Sequence, residues 1–132
     1  MKVLIVEDDF VTRRLLQSFL APYGECDITV NGLEAITAYR MALEEKKPYD
    51  LICLDILMPE MDGQEVLTEI RQIERELGIK GSGSVKVITI SILSDVSNIQ
   101  TVFKGQCEAF LPKPIEKKKL METLENLGLL KN

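Results

Sequence analysis

The chain has 132 residues, 45% of them hydrophobic, enough for one domain that buries roughly two-thirds of its unfolded surface. A formal net charge of −5 argues against nucleic acid or an anionic membrane surface as the main partner. Three cysteines without Cys-x-x-Cys spacing argue against a disulfide framework or zinc site, and the lack of histidine excludes histidine-based triads and any phosphohistidine on this chain.

The N-terminus offers four consecutive apolar residues, Val3 to Val6, before Glu7-Asp8-Asp9. That run is too short for a signal peptide or anchor, and no later one reaches transmembrane length, so a cytosolic location is expected. Val3 to Val6 reads as a strand buried on both faces. Asp9 stands where a helix N-cap would, and Val11, Leu15, Leu16, Phe19 and Leu20 predict an apolar stripe on the first helix, ended by Pro22 and Gly24. Cys26, Ile28 and Val30 alternate with polar residues, as in a strand near the sheet edge. Asn31-Gly32 opens a second helix with apolar positions at Leu33, Ile36, Tyr39 and Leu43.

Leu51 to Leu54 is another short apolar run, containing Cys53 as a small buried hydrophobe, and it ends on Asp55. Pro59 and Asp62-Gly63 break the chain before helical periodicity resumes at Val66, Leu67, Ile70 and Ile73, predicting a helix from about Gly63 to Leu77. Gly78 to Ser84 is a connector. A phosphate loop would need a strand before it and Gly-Lys-Ser order, whereas here a helix precedes it and the order is Lys-Gly-Ser. Val85 to Ile90 is a β-branched strand ending on Ser91. Ser94 or Asp95 caps a fourth helix carrying Val96, Ile99, Val102 and Phe103, with Gly105 as its stop. Ala109 to Leu111 forms a short fifth strand before Lys113-Pro114. The last helix runs from about Glu116 to Leu127, with Leu120, Leu124 and Leu127 on one face and Lys117-Lys118-Lys119 as a solvated first turn.

Strand and helix thus alternate five times without repeat or linker, which predicts one α/β domain over residues 1–132. Right-handed crossovers then give a doubly wound five-stranded parallel sheet in the flavodoxin-like order 2-1-3-4-5, with helices on both faces. The carboxyl ends of the strands share one edge, where such sheets bind ligands. That edge would collect Glu7 and Asp8 after strand one, Asp55 after strand three, Ser91 after strand four and Lys113 after strand five. Taken singly, Asp55 is equally a turn cap, Ser91 a polar strand end and Lys113 a surface charge. Together they imply converging carboxylates, and two such groups about 5 Å apart repel by roughly 3 kcal/mol at an effective dielectric near 20. A bridging cation relieves this, and oxygen-only ligands favour Mg²⁺ or Mn²⁺, ions that commonly serve phosphoryl transfer.

The chain resembles the receiver domain of two-component response regulators over essentially its whole length. The matching pieces are Val6-Glu7-Asp8-Asp9, Leu54-Asp55-Ile56-Leu57-Met58-Pro59-Glu60-Met61-Asp62-Gly63, Ser91 and Lys113-Pro114. The resemblance implies that Asp55 accepts a phosphoryl group from a histidine kinase or histidine phosphotransfer protein. It implies that Glu7, Asp8, Asp55 and the backbone carbonyl of Leu57 hold Mg²⁺, and that Ser91 and Lys113 bind the phosphoryl oxygens. It further implies a cis peptide at Pro114 and a switch in which Phe110 turns inward as Ser91 moves. The face of helix four, strand five and helix five would then meet a downstream protein. An ordinary core residue is the alternative for Phe110.

Two departures stand out. Glu7 replaces the commoner Asp and keeps its charge. Ile92 is bulky where relatives usually carry Ala or Gly, so it is expected to narrow access to Asp55. The leading expectation is a stand-alone phosphoacceptor module. A pseudo-receiver acting without phosphorylation lacks support in so complete an acid, Ser and Lys set. A Mg²⁺-dependent aspartyl phosphatase would need Asp-x-Asp, and Leu57 occupies the second acid's position. A flavin protein is excluded because three acids after strand one would repel the flavin phosphate.

Overall fold

Four consecutive branched apolar residues cannot leave either face to water, and Val3, Leu4, Ile5 and Val6 are all completely buried in β1 (Lys2–Val6). The computed structural model describes residues 1–57, 61–92 and 106–130. Within them β3 (Leu51–Asp55) is likewise buried end to end. β2 (Glu25–Thr29), β4 (Lys86–Ile92) and β5 (Ala109–Lys113) complete a parallel sheet in the order β2-β1-β3-β4-β5, the order expected.

The helices α1 (Phe10–Leu20), α2 (Gly32–Glu44) and α3 (Gly63–Leu77) and a C-terminal helix (Lys117–Asn126) follow the strands. Alternation along each buried strand feeds two separate cores. On one face Val3, Ile5, Leu51, Cys53, Ile88, Ile90 and Leu111 meet Leu16 and Leu20 of α1 and Leu120 and Leu124 of the C-terminal helix. On the other, Leu4, Val6, Ile52, Leu54 and Val87 meet α2 and α3. Among the described residues no helix is long and apolar enough to cross a membrane.

Local signals set the helix starts. Asp9, Asn31 and Asp62 each accept a hydrogen bond from the amide three residues on, as N-caps do. At the far end of α3, Gly78 adopts a left-handed conformation and closes the helix. Val66, Leu67, Ile70 and Ile73 are buried as their spacing predicts, whereas Lys117, Lys118 and Lys119 are solvated.

Four expectations are corrected. In α1 the buried face runs through Thr12, Leu16 and Leu20, and Val11 is 64% exposed. In α2 the buried side is Ala35, Ile36, Tyr39 and Ala42, leaving Leu33 53% exposed. Leu16 and Leu20 in α1, and Ile36 and Tyr39 in α2, keep the buried places expected of them. Ile28 and Val30 at the β2 edge are partly exposed, while Thr29 is buried and donates to the Ile5 carbonyl at 3.4 Å. Finally β4 runs past Ile90 through Ser91 to Ile92, and β5 through Lys113, because each ladder continues to the Ile92–Lys113 pair. The predicted fourth helix, with its cap at Ser94 or Asp95 and stop at Gly105, lies outside the described residues, as do Met58, Pro59 and Glu60.

A charged network went unpredicted. Glu74 is 3% exposed on the buried side of α3, and its carboxylate accepts from Arg71 at 2.7 Å and from the Val85 amide at 2.9 Å. Arg71 also reaches the carbonyls of Val85 and Gln106 and the carboxylate of Glu108. Glu108 in turn accepts from the Val87 amide. The one sequence sign was a charge at position 74, on the stripe of Ile70 and Ile73.

The corrected phase of α1 has a direct test. Leu16→Ala is expected to lower the urea-unfolding free energy by about 3 kcal/mol, as for a fully buried leucine. Val11→Ala should change it by less than about 0.5 kcal/mol, as at an exposed site.

Candidate phosphoacceptor site

Register brings the site together. Val6 pairs with Leu54, so the next residue of each strand path, Glu7 and Asp55, leave the sheet side by side. Asp55 pairs with Ile90, which pairs with Leu111, and Ile92 pairs with Lys113 two residues beyond. The acids therefore continue the apolar row of the α1 face at the sheet's carboxyl edge. That row desolvates them: Glu7 is fully buried and Asp55 is 2% exposed, while Asp8 is open to solvent.

One carboxylate oxygen from each of Glu7, Asp8 and Asp55 lies within 4.8 Å of the others. Lys113 stands over two of them, with Nζ 3.1 Å from Glu7 Oε1 and 3.4 Å from Asp55 Oδ2. Backbone donors hold the acids further. The Asp9 amide donates to Glu7 Oε2 at 3.1 Å and the Leu57 amide to Asp55 Oδ1 at 3.2 Å. Glu7 Oε1 is enclosed and, although close to the ammonium, receives no aligned hydrogen bond among the described residues. An all-oxygen donor set with one buried oxygen unsatisfied and one cation against three acids is a group that could bind a metal ion.

The electrostatics follow from burial. Burial, then the neighbouring Asp55, pushes the Glu7 carboxyl from its usual 4.5 up to about 8. Burial also raises Asp55, against the opposing pull of its hydrogen bond with Glu7 and of Lys113. For Lys113 burial alone would lower the ammonium's pKa, but the charges of Asp55 and Glu7 outweigh it and hold it above the usual value.

The remaining sequence-singled residues are placed as follows. Ser91 is 4% exposed, and its hydroxyl donates to the Ile92 carbonyl at 3.3 Å and not to the acids. Leu57 is exposed beside Asp55. Phe110 is half-buried and packs, with Met61 and Cys107, against the α2–α3 core. Ile92 is 48% exposed and, by strand alternation, shares a face with its cross-strand neighbour Lys113. The Lys113–Pro114 peptide is cis. Cys53 is an inert buried thiol, pushed by burial up to about 12.

This geometry is that of a receiver. The profile of the response regulator receiver domain family matches residues 3–125, and the chain belongs to that family. It is similar to the chemotaxis protein CheY of Listeria monocytogenes, 32% identical over 130 residues that make up 95% of this chain and 96% of that protein. It is also similar to hybrid signal transduction histidine kinase B of Dictyostelium discoideum, 36% identical over 87% of this chain. There the chain spans only 6% of the longer protein. Among solved structures, the receiver domain of the Saccharomyces cerevisiae response regulator Ssk1, crystallised with the histidine phosphotransfer signalling protein Ypd1, superposes with a TM-score of 0.79 at 24% identity. That match covers 100% of this chain and 93% of that one.

The raised acid gives a pH dependence. A carboxyl with a higher pKa folded than unfolded binds more protons in the native state, so its stability contribution is present below about 4.5 and is lost as pH rises to about 8. The metal-free protein should therefore unfold more easily at pH 8 than at pH 5 in urea titrations. Asp55→Asn removes one charge of a pair within 4.8 Å. The substitution should flatten that slope, because the neighbouring charge that helps raise Glu7 is gone.

Proposed function

We propose that residues 1–132 act as one phosphoacceptor unit in which Asp55 receives a phosphoryl group from a phosphohistidine on a partner. The observation that carries this is a buried carboxylate at the end of β3, with two further acids within 4.8 Å and Lys113 at 3.4 Å. Residues 1–132 hold no histidine, so the donor imidazole lies outside them, on a histidine kinase or a histidine phosphotransfer protein. The pairing of the Ssk1 receiver with Ypd1 supports that choice.

An Asp55 oxygen attacks phosphorus in line, the new P–O bond forms, and the P–N bond breaks with its electron pair returning to the donor imidazole. Glu7, Asp8, Asp55 and the Leu57 carbonyl would hold Mg²⁺, or Mn²⁺ with the same donors, to neutralise charge on the transferring oxygens. Lys113 shifts from its carboxylate partners to pair with the incoming phosphoryl group. Ser91 exchanges the Ile92 carbonyl for a phosphoryl oxygen, and that rearrangement biases Phe110 between two packings. The altered β5 and C-terminal helix face then binds a downstream protein. Turnover of external phosphate esters is not part of this function, because Leu57 supplies no acid to protonate a leaving group. Ile92, beside Lys113, narrows the approach to Asp55 for small phosphodonors.

Intact mass after incubation with Mg²⁺ and a phosphohistidine donor is the test. A single alkali-labile phosphoryl adduct is expected, absent in Asp55→Asn. No adduct from any donor contradicts the proposal and leaves a receiver that works unphosphorylated. In the same assay Ile92→Ala should speed labelling by a small donor or hydrolysis of the adduct, and unchanged rates for both would remove its access role.

A further inference from the structure

Three consecutive acids follow β1, and each is held differently. Glu7 is fully buried, whereas Asp8 and Asp9 are exposed. Oxygens of Glu7 and Asp8 lie with one of Asp55 within 4.8 Å of one another, and Asp9 supplies none to that group. Its carboxylate turns to α1 instead. Asp9 Oδ2 accepts from the Thr12 amide at 2.9 Å and from the Thr12 hydroxyl at 2.7 Å. Thr12 is itself 7% exposed, so the group that holds this carboxylate has a fixed place in the first turn of the helix.

The main chain of Asp9 serves the site. Its amide donates to Glu7 Oε2 at 3.1 Å, and its carbonyl accepts from the Arg13 amide at 2.9 Å. One residue is thus fastened to α1 by its side chain and carbonyl and to a buried acid by its amide. Glu7 Oε2 is engaged by that amide and, at 3.4 Å, by Lys113. Glu7 Oε1 is enclosed and receives no aligned hydrogen bond among the described residues. The amide therefore occupies one oxygen and leaves the other for a cation. Glutamate has one more rotatable bond than aspartate, so an untethered Glu7 carboxylate would have more orientations to lose on binding an ion.

We propose that Asp9, anchored by Thr12, is a positioning residue for the cation site. Its amide fixes the Glu7 carboxylate for metal binding, while the Thr12 hydrogen bonds keep its own carboxylate out of the ligand set. This rests on the reading of Glu7, Asp8 and Asp55 as a Mg²⁺ site.

Mg²⁺ demands near-octahedral oxygens at about 2.0–2.1 Å, so a carboxylate free to rotate is a poorer ligand than one already oriented. A charge beside the site would also attract Mg²⁺, whatever its hydrogen bonds. Asparagine separates the two effects, because it caps a helix as well as aspartate does and carries no charge.

The test is isothermal titration of Mg²⁺ into metal-free wild type, Asp9→Ala and Asp9→Asn, with urea-unfolding midpoints measured alongside. Loss of a group that orients a metal ligand typically weakens binding by about 10–100-fold, and about tenfold is expected for Asp9→Ala. Asp9→Asn should keep the wild-type affinity. An Asp9→Ala protein with a lower unfolding midpoint but wild-type Mg²⁺ affinity makes Asp9 a helix cap alone and overturns the proposal. Equal losses in Asp9→Ala and Asp9→Asn assign the effect to charge and also overturn it. Should Asp9→Ala fail to fold, Asp9→Gly decides, since it removes the same carboxylate and helix starts accept glycine nearly as well as aspartate. Weakened Mg²⁺ binding in that variant supports the role, and unchanged binding overturns it. A wild type that binds no Mg²⁺ and takes no phosphoryl group removes the site reading itself, and this proposal with it.

Discussion

Two carboxylates, Glu7 and Asp55, leave the sheet side by side almost without solvent, and among the described residues a single ammonium, that of Lys113, faces them. The rest of the molecule bears on that arrangement. Left in water the acids would ionise freely and carry little information. Buried on the apolar row of Ile90 and Leu111, they hold protons or seek a cation, and any group that changes the local charge changes the fold's energy. On the proposed reading, a phosphoryl group on Asp55 would be such a change and would make this site a lever.

The parallel topology makes the lever possible. Only when β1, β3, β4 and β5 all run the same way do their carboxyl ends deliver Glu7, Asp55, Ser91 and Lys113 to one edge. At the opposite end of α3, the Arg71–Glu74–Glu108 network ties the helix to the beginnings of β4 and β5. Breaking one partner of such a buried network commonly destabilises by about 3–5 kcal/mol, so that end behaves as a rigid footing. This chain thus combines a buried, charged edge with a firmly pinned one.

Much of this was legible in the residues. Runs such as Val3 to Val6 and Leu51 to Leu54 are too apolar to be anything but central strands. Asp9, Asn31 and Asp62 announce helix starts by their own chemistry, and Lys113-Pro114 marks a strand end. The site followed once the strand order was assumed, because placement at strand ends depends on topology and not on packing detail. Helix phase was less legible. Val11 and Leu33 fit an apolar stripe as well as the buried Thr12 and Ala35 do, and only the packing of each helix on its neighbours decides between them. The extension of β4 to Ile92 was hidden because pairing with Pro112 and Lys113 is a long-range fact. The need for glycine at position 32 offered no visible sign either, since it lies in what would collide with a side chain Gly32 lacks.

A cation bound among Glu7, Asp8 and Asp55 would relieve the burial of these acids. Titrating Mg²⁺ at fixed pH while following the unfolding free energy of wild type and Asp55→Asn tests this. Wild-type stability should rise with the logarithm of Mg²⁺, by about 2.7 kcal/mol at a hundredfold excess over the dissociation constant. Asp55→Asn, lacking one of the three acids, should respond weakly or not at all over the same range. An equal response in both proteins, or none in the wild type, would contradict it.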